Sequence, residues 1–282
     1  MAAKKTTKKA PAKKAKAAPK KATPKKATPK KATPKKAAPQ KITTARPARA
    51  KGAEQAATAG EKRSPMFGRA MKLVASGASG FKIIGSTRTL DPAEEVLVFE
   101  ALAARPSPPA EAPDLLAKAY ARAGRHADAV RLGKEGALPG TLQEVGEAAL
   151  DGGAFADAAA AFGAIEAPSA AVLVGLAIAR GRLGEDARDA LARAEKANVA
   201  KKAIDWKSAS SCYERVGVAI AKAMIQSVSG DAAAAKATLA EARALFAANV
   251  AQKGVRQECD DQLAAPSDPQ WWGAPIARHA GL

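Results

Sequence analysis

The sequence predicts an all-α protein of stacked antiparallel helix pairs, an α-solenoid, preceded by a disordered basic tail. Three observations carry that expectation. The 282-residue chain is 47% hydrophobic, much of it alanine, yet only 4% aromatic. Alanine gives up no side-chain entropy in a helix, so this composition favours helices over aromatic-rich sheets. A pattern of period 29 recurs from residue 116 onward. Finally, the positive charge is crowded at one end: residues 1–51 hold 17 Lys and 2 Arg with no Asp or Glu. The other 27 basic residues are matched by 27 acidic ones, so the pI of about 10.0 describes the tail alone.

Residues 1–64 read as tail and linker. From Lys20 the chain runs KKATP KKATP KKATP KKAAP as far as Pro39. Proline at every fifth position removes backbone donors and stops any helix longer than a turn. Apart from Met1, no large apolar residue precedes Ile42, so nothing offsets the entropy of ordering. An extended stretch of about 40 such residues reaches on the order of 120 Å at roughly 3.1 Å per residue. Paired lysines at this density suit a polyanion of regular charge, because duplex DNA carries one phosphate per about 1.7 Å of axis. Lysine acts as a point charge and needs no fixed geometry. The candidate nucleic-acid-binding residues are therefore Lys13, Lys14, Lys20, Lys21, Lys25, Lys26, Lys30, Lys31, Lys35, Lys36, Lys41, Arg46 and Arg49. Anionic lipid, polyphosphate or acidic protein are the alternative ligands for the same charge. The Lys/Ala/Pro/Thr composition and the TPKK tetrads at Thr23, Thr28 and Thr33 resemble the tails of linker histones and of lysine-rich histone-like proteins of bacteria. The tetrads also look like proline-directed kinase sites, where phosphorylation would cancel part of the charge.

Residues 65–90 form a junction. Met66, Phe67, Ala70, Met71 and Val74 fall at helical spacing, with Arg69 and Lys72 on the other side. A segment of this kind docks on the neighbouring domain or touches membrane or nucleic acid; docking is the expectation here. Gly77–Gly80 reads as a glycine-serine turn. Its GASG faintly resembles the GxxG loop of KH domains, but a KH fold needs flanking strands and helical sequence follows at once.

The repeat domain is placed at 91–265. Asp91-Pro92 is a good N-cap and first-turn pair, and the first helix stops before Pro106. Residues 113–139 then read as helix, glycine turn, helix. Ala129, Ala158 and Ala187 align at the 29-residue spacing, each after an aspartate. Leu116, Val145 and Val174 align as the large apolar residue of the first helix, followed by Ala117, Gly146 and Gly175. Tyr120, Ala149 and Ile178 come next, and the turn position carries Gly124, Gly153 and Arg182. Repetition at one period signals a stack of supersecondary units. These residues resemble the tetratricopeptide repeat (TPR) family: a small residue after Leu in the first helix, an aromatic near its end, Gly at the turn, Ala in the second helix. Leu116, Tyr120, Gly124 and Ala129 match best, and Phe162 fits the aromatic of the second helix in the next copy. The period is shorter than the family's usual 34, and its initial tryptophan and final proline are poorly kept. A TPR-like stack implies a concave surface that binds a protein or peptide.

After Trp206 the helices lengthen. SSCYERVGVAIAKAMIQSV runs to Ser229-Gly230-Asp231, a stop and restart, and AAAAKATLAEARALFAANV supplies the partner helix. Val216, Ile220, Ala223 and Met224 form one apolar face, and Leu239, Ala242, Leu245 and Phe246 the other. Residues 266–282 are a tail whose Trp271-Trp272 pair is expected to fold back over the last groove, since exposed paired tryptophans are hazardous.

No catalytic constellation is legible. His126 and His279 have no partner cysteine or triad, and no HExxH, phosphate loop or dinucleotide fingerprint occurs. Glu94-Glu95 and Asp260-Asp261 are adjacent pairs, which point apart on a helix. Cys212 and Cys259 lack zinc or disulfide spacing and read as free thiols in a reducing compartment. No cofactor or metal is expected. The longest apolar run, Ala170 to Ala179, is about half a membrane span, and no secretory h-region is visible in the first 65 residues. The sequence reading is a cytoplasmic, non-enzymatic adaptor, nucleoid-associated (nuclear in a eukaryote), whose tail binds DNA or RNA non-specifically while its repeats bind protein. A protein-only scaffold is the alternative. If about half of the tail's cations meet phosphates, log K falls with log salt at a slope near −8, measurable by titrating duplex DNA at several ionic strengths.

Overall fold

The computed structural model describes residues 63–136, 139–200, 203–271 and 273–282. The tail and its thirteen candidate cations therefore lie outside the described residues, as does Trp272. Among the described residues there are thirteen α-helices and no strand. Residues 60–282 form one compact unit.

Helix α1 (Pro65–Ala75) is capped by Ser64, whose hydroxyl accepts from the Phe67 N–H. Ser64 in turn donates from its N–H and hydroxyl to Glu94 at 2.8 and 2.7 Å. That cap ties α1 to α3 (Pro92–Ala103), and Phe67, Ala70 and Val74 are buried between them. Docking, the expected fate of the junction, is what occurs. The Gly77–Gly80 turn leads straight into α2 (Gly80–Thr87), with no strand on either side. Helix α3 begins as expected, with the Asp91 carboxylate accepting from the Ala93 N–H at 2.8 Å. It buries Val96, Val98, Phe99 and Leu102 because it lies between α1 and α4.

Four helix hairpins follow: α4 (Ala112–Arg122) with α5 (His126–Gly136), α6 (Pro139–Asp151) with α7 (Phe155–Gly163), α8 (Ala170–Arg182) with α9 (Arg188–Ala197), and α10 (Ala209–Val228) with α11 (Ala232–Asn249). The first helices also touch in succession, α4 on α6, α6 on α8 and α8 on α10, while α5 meets α7. Helix α8 packs against α6, α7, α9 and α10 and buries every residue from Ala170 to Ala179, which explains the long apolar run: a helix apolar on all sides is a core helix. No helix among the described residues is long and apolar enough to cross a membrane.

The first two turns share one geometry. Gly124 and Gly153 have φ of 73° and 72°, and the residues after them, Arg125 and Ala154, donate back to Tyr120 O and Ala149 O at 2.8 Å. This six-to-one bond requires a left-handed residue, which glycine adopts without strain. The third copy departs from the alignment. Arg182 still lies within α8, and the turn glycine is Gly184, with Glu185 donating to Arg180 O. Ala187 consequently caps α9 rather than packing inside it, and Ala190 and Ala194 take the buried positions. The reason is that α8 runs two residues further before its turn. Leu245, placed on the apolar face of the last hairpin, is instead 51% exposed, while Ala242 and Phe246 are buried.

Small residues decide how closely the helices approach. The Phe162 ring of α7 sits against Gly146 of α6 and Gly175 of α8; a Cβ added at Gly146 would lie 2.6 Å from the ring. Phe162 is 1% exposed and has nowhere to go. Gly146→Ala is expected to destabilise the domain by about 1–3 kcal/mol. In urea unfolding, Phe162→Leu in that background should cost less than it does alone; strict additivity of the two would contradict this packing.

Candidate interaction surfaces

The first surface lies on α6 and α8. The chain turns after α12 (Lys253–Ala264), which packs on α10 and α11, and returns as α13 (Ala274–His279) across α6 and α8. Ile276, fully buried, reaches Gly175 alongside the Phe162 ring. Asp151, the last residue of α6, accepts from Arg278 Nη1 at 3.1 Å, and His279 Nε2 lies 3.2 Å from the same carboxylate. A carboxylate at a helix C-terminus is disfavoured by the helix dipole, and these two side chains offset it. Ser227 of α10 donates to the Ala280 carbonyl at 2.6 Å. The tail does return, as α13, but onto α6 and α8 rather than over the last groove as expected; Trp271 is half-buried at its approach.

A second surface, between α10 and α11, remains open. It is an apolar groove of about 340 Å3 lined by Trp206, Leu245 and Phe246, with Lys222 and Glu241 at its edge. Trp206 meets Phe246 edge to face at 5.5 Å, which stiffens the floor.

The third surface was missed by reading charge as a balance over everything beyond the tail. Between Lys62 and Leu90 the sequence has no Asp or Glu. Helices α1 and α2 and their flanks carry Arg63, Arg69, Lys72, Lys82 and Arg88, all exposed. None of Arg69, Lys72, Lys82 and Arg88 forms an ion pair among the described residues. From residue 91 onward acidic residues are interspersed with the basic ones, and several cations are paired. Lys118 pairs with Glu144, Arg131 with Glu135, Arg188 with Asp186 and Arg243 with Asp260. Arg122 makes a two-pronged contact to buried Glu95 at 2.9 and 2.7 Å. Arg125 bonds Glu100 and Asp128 and stacks on Tyr120, 4.1 Å from the ring centroid. Burial, with Glu100 accepting its proton, pushes the Tyr120 phenol up to about 12. A window count of acidic residues over 62–90 would have exposed this asymmetry.

The adjacent acidic pairs are structural. Glu94 holds the α1 cap, Glu95 holds Arg122, Asp260 holds Arg243, and Asp261 accepts from Gln257. Cys212 and Cys259 are buried free thiols; burial pushes both up, Cys259 to about 11. His126 packs its ring against Gly152, and its buried Nδ1 has no hydrogen-bond partner. Among the described residues no three His, Cys, Asp or Glu side chains converge as metal ligands would. Comparison with family models, curated proteins and solved structures gives no match in any of the three.

Apolar burial, rather than the half-exposed ion pair, should hold α13 in place. Ile276→Ala is expected to lower stability by about 2–5 kcal/mol and Asp151→Asn by less than about 1 kcal/mol, compared in denaturant melts. A larger loss from Asp151→Asn would reverse that ranking.

Proposed function

We propose that the chain is a non-enzymatic adaptor, in which the basic tail binds DNA or RNA phosphates non-specifically and a TPR-like α-solenoid binds a protein partner. One observation carries the first half: 19 of the 46 basic residues fall in the first 51 positions, without a single carboxylate among them. Charge so concentrated suits a polyanion, and counterion release supplies affinity without sequence preference. The second half is supported by four successive hairpins whose first helices touch in order, the contact pattern expected of a repeat stack. Because α13 lies on α6 and α8, the open apolar groove between α10 and α11 is the better seat for a partner. On this reading the protein is cytoplasmic and nucleoid-associated, or nuclear in a eukaryote.

A mobility-shift titration with duplex DNA tests it. The full chain should bind at low salt, and residues 52–282 should bind duplex at least about 100-fold more weakly, since the tail supplies most of the phosphate contacts. Equal binding by the shortened chain would move the duplex site onto the folded unit. No shift with either would favour a protein-only scaffold whose tail meets acidic protein, anionic lipid or polyphosphate.

A further inference from the structure

Helix α2 places one aromatic ring in an unusual setting. Phe81 is 86% exposed, more than any other large apolar side chain among the described residues. It shares a stripe with Gly85 and Arg88, at i, i+4 and i+7, and Lys82 lies beside it on the exposed surface. The opposite side of α2 is sunk: Ile83, Ser86 and Thr87 are buried. On α1, packed against α2, Arg69 and Lys72 share an exposed stripe while Phe67, Ala70 and Val74 face inward. Glu111 packs over Gly80 at the start of α2, so an anion would be met by the side chains rather than by that helix end. The two helices thus offer four cations that form no ion pair among the described residues and one exposed ring, and the lysine-rich tail ends at Lys51, shortly before α1 in sequence.

We infer that α1 and α2 form a folded contact for single-stranded nucleic acid, in which Phe81 stacks on an unpaired base while Arg69, Lys72, Lys82 and Arg88 meet the flanking phosphates. The inference rests on the reading that the tail holds polynucleotide, and extends it from charge to base. An exposed ring among uncommitted cations is the combination used where a strand is bound without sequence readout, because every base presents a π-face. A duplex hides those faces, so the ring distinguishes single from double strands while the tail does not. A membrane contact fits less well. The apolar stripes of both helices are spent on the core, which leaves a single ring where an interfacial helix would offer a continuous apolar face.

The test uses the full chain and fluorescence anisotropy with oligo-dT, oligo-U and a duplex of equal length. Phe81→Ala, at a site too exposed to disturb folding, should weaken binding to the single strands about tenfold and leave duplex binding unchanged. Phe81→Trp should restore the single-strand affinity. The paired change Arg69→Glu with Lys72→Glu should make the single-strand salt slope shallower by about 2. Loss with oligo-dT, oligo-U or both supports the contact and tells which sugar it accepts. If duplex binding is intact and Phe81→Ala changes neither single strand, the contact is wrong while the tail reading stands. Failure of the full chain to bind any of the three overturns both. Phe81-dependent binding to phosphatidylserine vesicles, with single-strand affinity unmoved by Phe81→Ala, would assign the ring to a membrane instead.

Discussion

Close approach of helices through small residues is the constraint on which the folded unit depends. The ring of Phe162 is held between Gly146 and Gly175, and Ile276 also reaches Gly175. With so few aromatic and long aliphatic residues, the core gains its contacts by bringing backbones together rather than by filling space with large side chains. Dispersion then adds up over many short contacts, and a single added methyl is felt. This is how alanine can occupy so many fully buried positions here.

The same economy shapes the C-terminal segment. Helix α13 is too short to stand alone, yet it presents Ala274, Ile276 and Ala277 as buried residues to a surface whose glycine leaves room for them. Its polar contacts, from Arg278 and His279 to Asp151 and from Ser227 to Ala280, orient the segment more than they hold it. Part of the surface of α6 and α8 is covered by the chain itself, while the groove between α10 and α11 is open and apolar.

Charge divides the described chain into two regimes. From α3 onward, arginines bridge helices: Arg122 to Glu95, Arg125 to Glu100 and Arg278 to Asp151. Such pairs contribute little each to stability, but each holds its cation beside a carboxylate. On α1 and α2, Arg69, Lys72, Lys82 and Arg88 form no ion pair among the described residues, and no carboxylate occurs between Lys62 and Asp91. A domain that is neutral in total can still present one basic face.

Much was legible in the residues alone. Caps at Asp91 and Asp231, turns at Gly124 and Gly153 and the buried column Leu116, Val145 and Val174 follow from local chemistry and spacing, which need no knowledge of distant neighbours. The third copy misled because the length of α8, which moves the turn from position 182 to Gly184, answers to the helices packed around it rather than to a local signal. Leu245 misled because helical spacing marks a face without saying how far a partner covers it. The sequence by itself determined the helical class, the cationic tail and the hairpin rhythm, since propensity, proline spacing and charge act over a few residues. Only the tertiary structure decided that α13 lies on α6 and α8, that most later arginines are engaged, and that Phe81 stands free. Those outcomes depend on which surfaces meet across more than a hundred residues of chain, and no local pattern encodes such a meeting.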